Sequence, residues 1–597
     1  MSSTAEVAAR RTAVPALWVL VVPVAASVAA VVRWLGVLVA NRNRGIDVSD
    51  EGYYLLAAMD PAGGSATVSD FGFYLRPLLA VSGSVGRFRM IGLLLVLGTA
   101  LVAALAVRDM LGSVFDRRLT WLVAAALWVS IAASALTYYA QWLVTPSYNL
   151  LALLFAMLAA TLTAAAAGRL DDDIDHDISR FVLALGAVVA WGVMIKPSAF
   201  VAVGSICATT LVFVGGMSRA RRLAIDLAGG ATIGLAIHWL ISLQWPHRDL
   251  ERLSRGAEAF RRLGSHPSDR VFETDFLRET VLWWFLALAG AGVVLAISWR
   301  WIREARIRQL IAAIGALVMM VAMLRSQAEG GSSLLASGSG WWWLRLSALA
   351  LFWTTVAVPA PRRVYVLGPA IALLAPAAAL GSNNGIVRQT ALVVGPLTLA
   401  VLVQASLVAR HRQESDLALI LVPASVFVLV GSIHSFGLID DATDDPYRLG
   451  APLDAEFVEV TLGSLGPVQA PPATAAYLRE LGSLATEVEP EALGCFVDLT
   501  GSTPLAAVAL GADPAGLKWM SGGYPGSAES AAYVIERADC LDGPVAMLEA
   551  PGGVRSIPRP DALADREFVE VGRLDFDGYV QEQQVLSVAS TQPPAGR

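Results

Sequence analysis

Two adjacent carboxylates, Asp50 and Glu51, stand in Ser49-Asp50-Glu51-Gly52-Tyr53-Tyr54, directly after a long apolar run, where a chain leaving a bilayer meets water. Acids at that depth are expensive to keep, which argues for function. Asp47 or Ser49 can cap a short helix whose first turn holds both acids, with Tyr54 one turn on and Asp60-Pro61 as the stop. A third acid follows in Ser69-Asp70-Phe71-Gly72-Phe73-Tyr74, with Arg76 close behind and Arg87 and Arg89 at the return to apolar sequence. The ends of other apolar runs add Tyr148-Asn149, Lys196 and Asn383-Asn384. A carboxylate in such a group can take a proton from an acceptor hydroxyl, while a lysine or arginine stabilises a departing phosphate. That combination suits transfer of a sugar from a lipid phosphate.

Each of these residues has a plainer reading. Asp50 and Glu51 can be solvated first-turn acids, and Asp70 a turn residue. Lys196 before Pro197 can be an interface anchor whose stem lies along apolar surface. Tyr148-Asn149 and Asn383-Asn384 serve equally as turn and cap residues, and Trp341-Trp342-Trp343 as an interfacial belt.

The rest of the sequence excludes several chemistries. The six histidines, His176, His238, His247, His266, His411 and His434, include no pair at a ligand spacing, so no histidine-built metal site is expected. Only Lys196 and Lys518 are lysines among 44 basic residues, and neither precedes Ser or Thr, which removes a Walker phosphate loop. No Gly-x-Ser-x-Gly elbow occurs, and no dinucleotide loop completes Gly290-Ala291-Gly292. The chain is expected to need no cofactor. With a net charge of −6, arginines in short connections and acids concentrated towards the C-terminus, no nucleic-acid partner is expected either.

The elements that must position these residues follow from hydropathy. At 56% hydrophobic and 16% charged residues, with a mean hydropathy of +0.59, the 597-residue chain has the composition of a polytopic α-helical membrane protein. Runs of roughly 20 apolar residues, enough to cross about 30 Å of hydrocarbon, recur near 13–40, 90–107, 119–137, 149–167, 181–195, 199–217, 224–244, 280–298, 310–324, 344–360, 364–380, 391–409 and 417–434. Thirteen spans are expected, unless the two flanking Lys196-Pro197 pair as a re-entrant turn. Arginines bias the short connections, placing the N-terminus in the cytoplasm of a multi-pass plasma-membrane protein. Residues 41–89 and 245–279 then become long outer loops, joined by shorter ones near 325–343 and 381–390 and by everything after His434. Within the second long loop, Leu250, Leu253, Ala257, Phe260 and Leu263 fall near helical spacing, the pattern of an amphipathic helix on the membrane. Residues 435–597 form an extracytoplasmic domain large enough for its own core. Cys495-Phe496-Val497-Asp498-Leu499 and Pro544-Val545-Ala546-Met547-Leu548 read as buried strands around a helix near Ser527 to Arg537, making the domain mixed α/β. An oxidising outer compartment would join Cys495 to Cys540, leaving Cys207 as a buried thiol.

Asp50-Glu51-Gly52-Tyr53-Tyr54 after the first span, Thr145-Pro146-Ser147-Tyr148-Asn149 opening the fourth and Lys196-Pro197-Ser198 between the fifth and sixth resemble the GT-C superfamily of membrane glycosyltransferases. That superfamily includes protein O-mannosyltransferases, aminoarabinose transferases and arabinofuranosyltransferases. The resemblance covers roughly residues 13–434. It implies a polyprenyl-phosphate sugar as donor, an envelope glycan or other extracytoplasmic acceptor, and a lipid bilayer as surroundings. In such enzymes a first-loop acid is the catalytic base, here Asp50 with Glu51 as its neighbour, and an outward-facing basic residue holds the donor phosphate, a part open to Lys196 or Arg76. Asp70, Tyr148, Asn149, Asn383 and Asn384 complete the expected substrate-binding set. The competing expectation is a non-catalytic scaffold or flippase-like protein of envelope glycan assembly.

Overall fold

The computed structural model describes residues 3–111, 117–171, 175–244, 246–264, 338–357, 362–381, 385–410, 417–578 and 580–590. A long helix α1 (Ser3–Ala40) leads into the first loop, which carries two short helices, α2 (Asp50–Met59) and α3 (Phe71–Ser82). Then follow α4 (Val85–Leu111), α5 (Arg117–Ala135) with a 3-10 extension over Leu136–Gln141, α6 (Tyr148–Asp171), α7 (Asp175–Ile195), α8 (Pro197–Gly215), α9 (Met217–Ser242) and α10 (Pro246–Leu263). Eight helices among the described residues are long and apolar enough to cross a membrane: part or all of α1 and α4 to α9, and Leu421–Asp444 near the C-terminal domain. Three shorter apolar helices among the described residues, Phe71–Ser82, Val364–Ala379 and Gly395–Arg410, accompany them. The expected spans at 280–298 and 310–324, like Asn383 and Asn384, lie outside the described residues.

Lys196 separates two helices of spanning length. Pro197 opens α8 at its first position, where its missing N–H has no helical partner to lose, so the α7 helix stops and a new one starts. Helix α9 crosses α7 closely because Gly230 and Gly234 face it. A Cβ at Gly230 would lie 2.0 Å from the Leu183 carbonyl oxygen, and one at Gly234 2.8 Å from that of Ala187. This small-residue stripe permits backbone contact in an apolar layer. One turn further along the same stripe stands His238, which is thereby carried into the interior.

The final apolar helix, Leu417–Asp444, continues beyond the boundary read at His434. Its polar end finds partners along α1. Arg33 pairs with Asp440 and lies 4.2 Å over the Phe436 ring, and Trp34 donates its indole N–H to the Ser435 carbonyl at 3.2 Å. Trp342 and Trp343 are buried against His434, so two of the three tandem tryptophans pack inside rather than forming an interfacial belt.

After this helix comes a sheet-containing region. Strands β1 (Val458–Thr461) and β2 (Pro467–Ala470) form a small antiparallel pair, and β3 (Phe496–Asp498), β4 (Val545–Glu549), β5 (Val569–Asp577) and β6 (Gln581–Ala589) form a sheet of order β3-β4-β6-β5. The two strands expected from sequence pair in parallel, Phe496 opposite Ala546, with the Ser527–Ile535 helix in the connection between them. Buried and exposed residues alternate in β5 from Leu574 to Asp577 but not before it, where the register shifts between Glu570 and Gly572 in a bulge.

The C-terminal region folds back onto the first loop. Residues 43–45 lie beside β2, with the Gly45 amide donating to the Gln469 carbonyl at 2.8 Å and the Gln469 amide to that of Asn43 at 2.8 Å. The Leu505 amide donates to the Val48 carbonyl at 3.0 Å. Helix α10 is sandwiched here too. Asp249, Arg252, Ala259 and Leu263 are buried, while Leu250 and Phe260 stay exposed, so only part of the expected apolar stripe is free to meet lipid.

A disulfide joins Cys495, just before β3, to Cys540, and spans a sequence separation of 45 residues. On the chain-entropy argument such a closure stabilises the folded domain by about 4 kcal/mol. Replacing both cysteines by serine should shift the urea midpoint for pulse proteolysis of the C-terminal region accordingly. An unmoved midpoint would show that the crosslink adds no stability.

Candidate active site

The site is built outward from a cap. The first amides of α2 have no helical acceptors and need a side chain to receive them. Asp47 supplies it: its carboxylate accepts from the Asp50 amide at 2.6 Å, the Ser49 amide at 3.2 Å and the Ser49 hydroxyl at 2.8 Å. Ser49, the other candidate cap, uses its hydroxyl to bind Asp47 instead. Burial raises the Asp47 pKa to about 7, and the neighbouring Asp50 charge pushes in the same direction.

The two adjacent acids have separate fates. Glu51 is buried and points away from water, with Arg89 Nη2 at 3.1 and 3.0 Å from its two oxygens. One oxygen also accepts the Thr145 amide at 2.9 Å and the other the Asp47 amide at 3.0 Å. Arg89 itself donates further to the carbonyls of Arg42, Arg44 and Gly45 and to the Thr145 hydroxyl. Every strong acceptor direction of Glu51 is therefore used in holding together the first loop, α4 and the approach to α6. Glu51 thus ties these segments together, with both oxygens engaged by protein donors.

Asp50 is only partly buried and lies at the seam between α2, the start of α6 and the C-terminal region. Its carboxylate accepts from Arg448 Nη1 at 3.0 Å on one oxygen and from the Tyr54 hydroxyl at 3.3 Å on the other. Burial raises its pKa above the ordinary aspartate value, while Arg448, the Tyr54 hydroxyl and Arg555 oppose the rise. Aromatic rings surround the seam. Tyr54 meets Tyr148 edge-on at 5.8 Å, and Tyr53 lies 6.0 Å from Trp519. A carboxylate flanked by aromatic faces and arginines has the chemistry to bind a sugar and a phosphate and to accept a proton.

Asp70 occupies a second, deeper polar centre. Its amide donates to the Met194 carbonyl at 2.9 Å, fixing the first loop to the end of α7, but neither carboxylate oxygen receives a protein hydrogen bond. Facing it are His238 Nε2 at 3.7 Å and, beyond the ring, Asp249 at 3.9 Å from the same nitrogen. Tyr74 holds the other ring nitrogen through a 2.8 Å hydrogen bond. Burial carries the Asp70 pKa to about 7 against the pull of Arg252. Arg252 and Lys518 both donate to the Pro61 and Gly63 carbonyls, so these two cations tie α10 and the C-terminal region to the turn after α2.

The remaining expected site residues divide clearly. Tyr148 stands beside Tyr54 as described, and Lys196 Nζ lies 5.9 Å from the Tyr148 ring centroid. Lys196 also donates to the carbonyls of Ala378 at 3.0 Å and Ala379 at 3.4 Å, capping the Leu374–Ala379 helix. Burial lowers its pKa to about 7. Asn149 is buried in the first turn of α6, its amide bound to the Ser147 hydroxyl. Arg76 is exposed on α3 and is not brought to the Asp50 seam. Reading the sequence missed Arg448, Arg252, Asp249 and Asp47's part as sole cap. Arg448 had a visible signal, a lone basic residue in Asp444-Asp445-Pro446-Tyr447-Arg448-Leu449-Gly450, just past the last apolar run.

Comparison with protein-family models, with curated proteins and with solved structures finds no match in any of the three.

Glu51→Gln keeps the shape but leaves Arg89 buried without its counter-charge. Breaking a buried pair in this way costs about 3–5 kcal/mol. The variant should accumulate poorly in membranes and unfold at clearly lower temperature, whereas Asp50→Asn should stay close to wild type. Equal melting of the two variants would overturn the supporting role of Glu51.

Proposed function

We propose that this chain is a GT-C-like glycosyltransferase that moves a monosaccharide from a polyprenyl phosphate to an extracytoplasmic acceptor, with Asp50 as the general base. The observation that supports this reading is the division of labour between two neighbouring acids. Glu51 is consumed by Arg89, while Asp50 remains partly accessible among Tyr54, Tyr148, Arg448 and Arg555. In the reaction, Asp50 takes the acceptor hydroxyl proton as that oxygen attacks the anomeric carbon. The bond from that carbon to the phosphate oxygen breaks, and polyprenyl phosphate departs with the electron pair. Arg555, and Lys196 in its protonated form, stabilise its charge. Neither a nucleotide nor a phosphate loop is required, in keeping with a sequence that has no Walker motif.

This reading requires the first loop and the C-terminal region to share the outer face, with the N-terminus inside. Whole cells test it directly. An impermeant maleimide should label Ser254→Cys and Ser483→Cys, both at exposed positions, and should reach the exposed Ser218→Cys only after permeabilisation. The opposite pattern would remove the model of outward-facing chemistry.

The catalytic claim is tested with purified full-length protein supplied separately with polyprenyl-phosphate sugar and nucleotide sugar. Only the lipid donor should support transfer. Asp50→Asn should lower the rate at least ~10²-fold, the lower bound for loss of a general base. Because a base works in its deprotonated form and burial raises this one, wild-type transfer should fall on acidification at a pH above the ordinary aspartate value of 3.8. Near-normal transfer by Asp50→Asn at equal protein level would leave the scaffold reading in its place.

A further inference from the structure

Arg448 stands in the connection between the last apolar helix and the sheet-containing region, and its backbone is unusual. It has φ of +56°, a left-handed conformation that a long L side chain rarely adopts and that glycine adopts freely. The segment is held there from both sides: the Tyr447 amide donates to the Gln141 carbonyl at 3.2 Å, and Leu449 is buried against Gly45. From this strained position Arg448 Nη1 reaches Asp50 Oδ2 at 3.0 Å and the Ser49 hydroxyl at 2.6 Å. That hydroxyl is itself held by Asp47 at 2.8 Å, so the guanidinium is aimed by the cap of α2. Tyr54 secures the other oxygen of Asp50 at 3.3 Å. Two side chains from elements almost 400 residues apart thus fix the carboxylate plane.

We propose that Arg448 is the positioning residue for Asp50, orienting its carboxylate and making its readiness as a base depend on the docked C-terminal region. The inference rests on the reading of Asp50 as the base. A general base must present one lone pair to the acceptor proton in a fixed direction. An arginine brought in by another element provides that direction and withdraws it if the region moves away. The charged and titratable groups acting on Asp50 from the elements around it are Asp47, Glu51, Tyr53, Tyr54, Tyr138, Tyr148, Arg448 and Arg555. Arg448 is in direct contact with the carboxylate. Its removal should make Asp50 hold its proton to higher pH.

The test needs no substrate. Full-length protein in detergent is treated with a water-soluble carbodiimide and glycine ethyl ester across a pH series, and labelling of Asp50 is read by tandem mass spectrometry. Carbodiimide reacts with the protonated acid, so the labelling midpoint reports its titration. Arg448→Gly relieves the left-handed strain and so keeps the fold, verified by unchanged thermal melting. It should move the midpoint upward by roughly one pH unit, the low end of what an arginine partner contributes. Arg448→Lys should restore most of the shift, and the acid limb of the transfer profile should move in parallel. An unmoved midpoint in Arg448→Gly overturns this inference alone. Wild-type transfer by Asp50→Asn overturns the base reading and this inference with it.

Discussion

A single buried ion pair organises the candidate site. Glu51 and Arg89 are almost wholly removed from water, and two opposite charges so placed persist only if every remaining donor and acceptor direction is filled. The backbone around them is arranged to do this. Three carbonyls from residues 42–45 turn inward to Arg89, and the amides of Asp47 and Thr145 turn inward to Glu51. Satisfying one pair therefore fixes the end of the first long helix, the start of α2, the entry to α4 and the residues before α6. Four segments that approach the same apolar boundary are set in register by one charge pair.

From this fixed base the two polar centres take different characters. At the seam around Asp50, acid, arginine and aromatic faces meet with partial access to solvent. Around Asp70 the groups are enclosed, and their main visible ties hold loops and helices together through Arg252, Lys518 and the Met194 carbonyl. The same residue types serve access in one place and cohesion in the other, and burial decides which. Lys196 joins the two by position, since it follows the helix end that Asp70 binds and lies over the ring of Tyr148.

Much of this was legible in the chain itself. The polytopic helical class, the break at Lys196-Pro197, the short helix carrying Asp50 and Glu51, and the β3 and β4 strands follow from hydropathy, proline placement and apolar runs. The separate roles of Asp50 and Glu51 did not, because adjacent residues on a helix point about 100° apart and only the tertiary partners say which side faces inward. The meetings of Arg448 with Asp50 and of His238 with Tyr74 were illegible for a related reason: the partners lie 398 and 164 residues away, and no local spacing encodes such a meeting. In β5 the bulge between Glu570 and Gly572 confines the alternation that marks a strand to Leu574–Asp577.

The sequence separations within the site also order its assembly in time. The Glu51–Arg89 pair closes over 38 positions, so both members are present soon after the first loop is made. The Asp50–Arg448 contact closes over 398 positions, and at ribosomal rates of about 5–20 residues per second its second member arrives roughly 20–80 s later. During that interval the α2 cap and the ion pair can already stand, while the carboxylate facing the seam still lacks its orienting cation. The scaffold of the site is thus an early product of biogenesis and its chemical face a late one. A chain truncated before Arg448 would keep Glu51 and Arg89 yet lack the arginine that reaches Asp50.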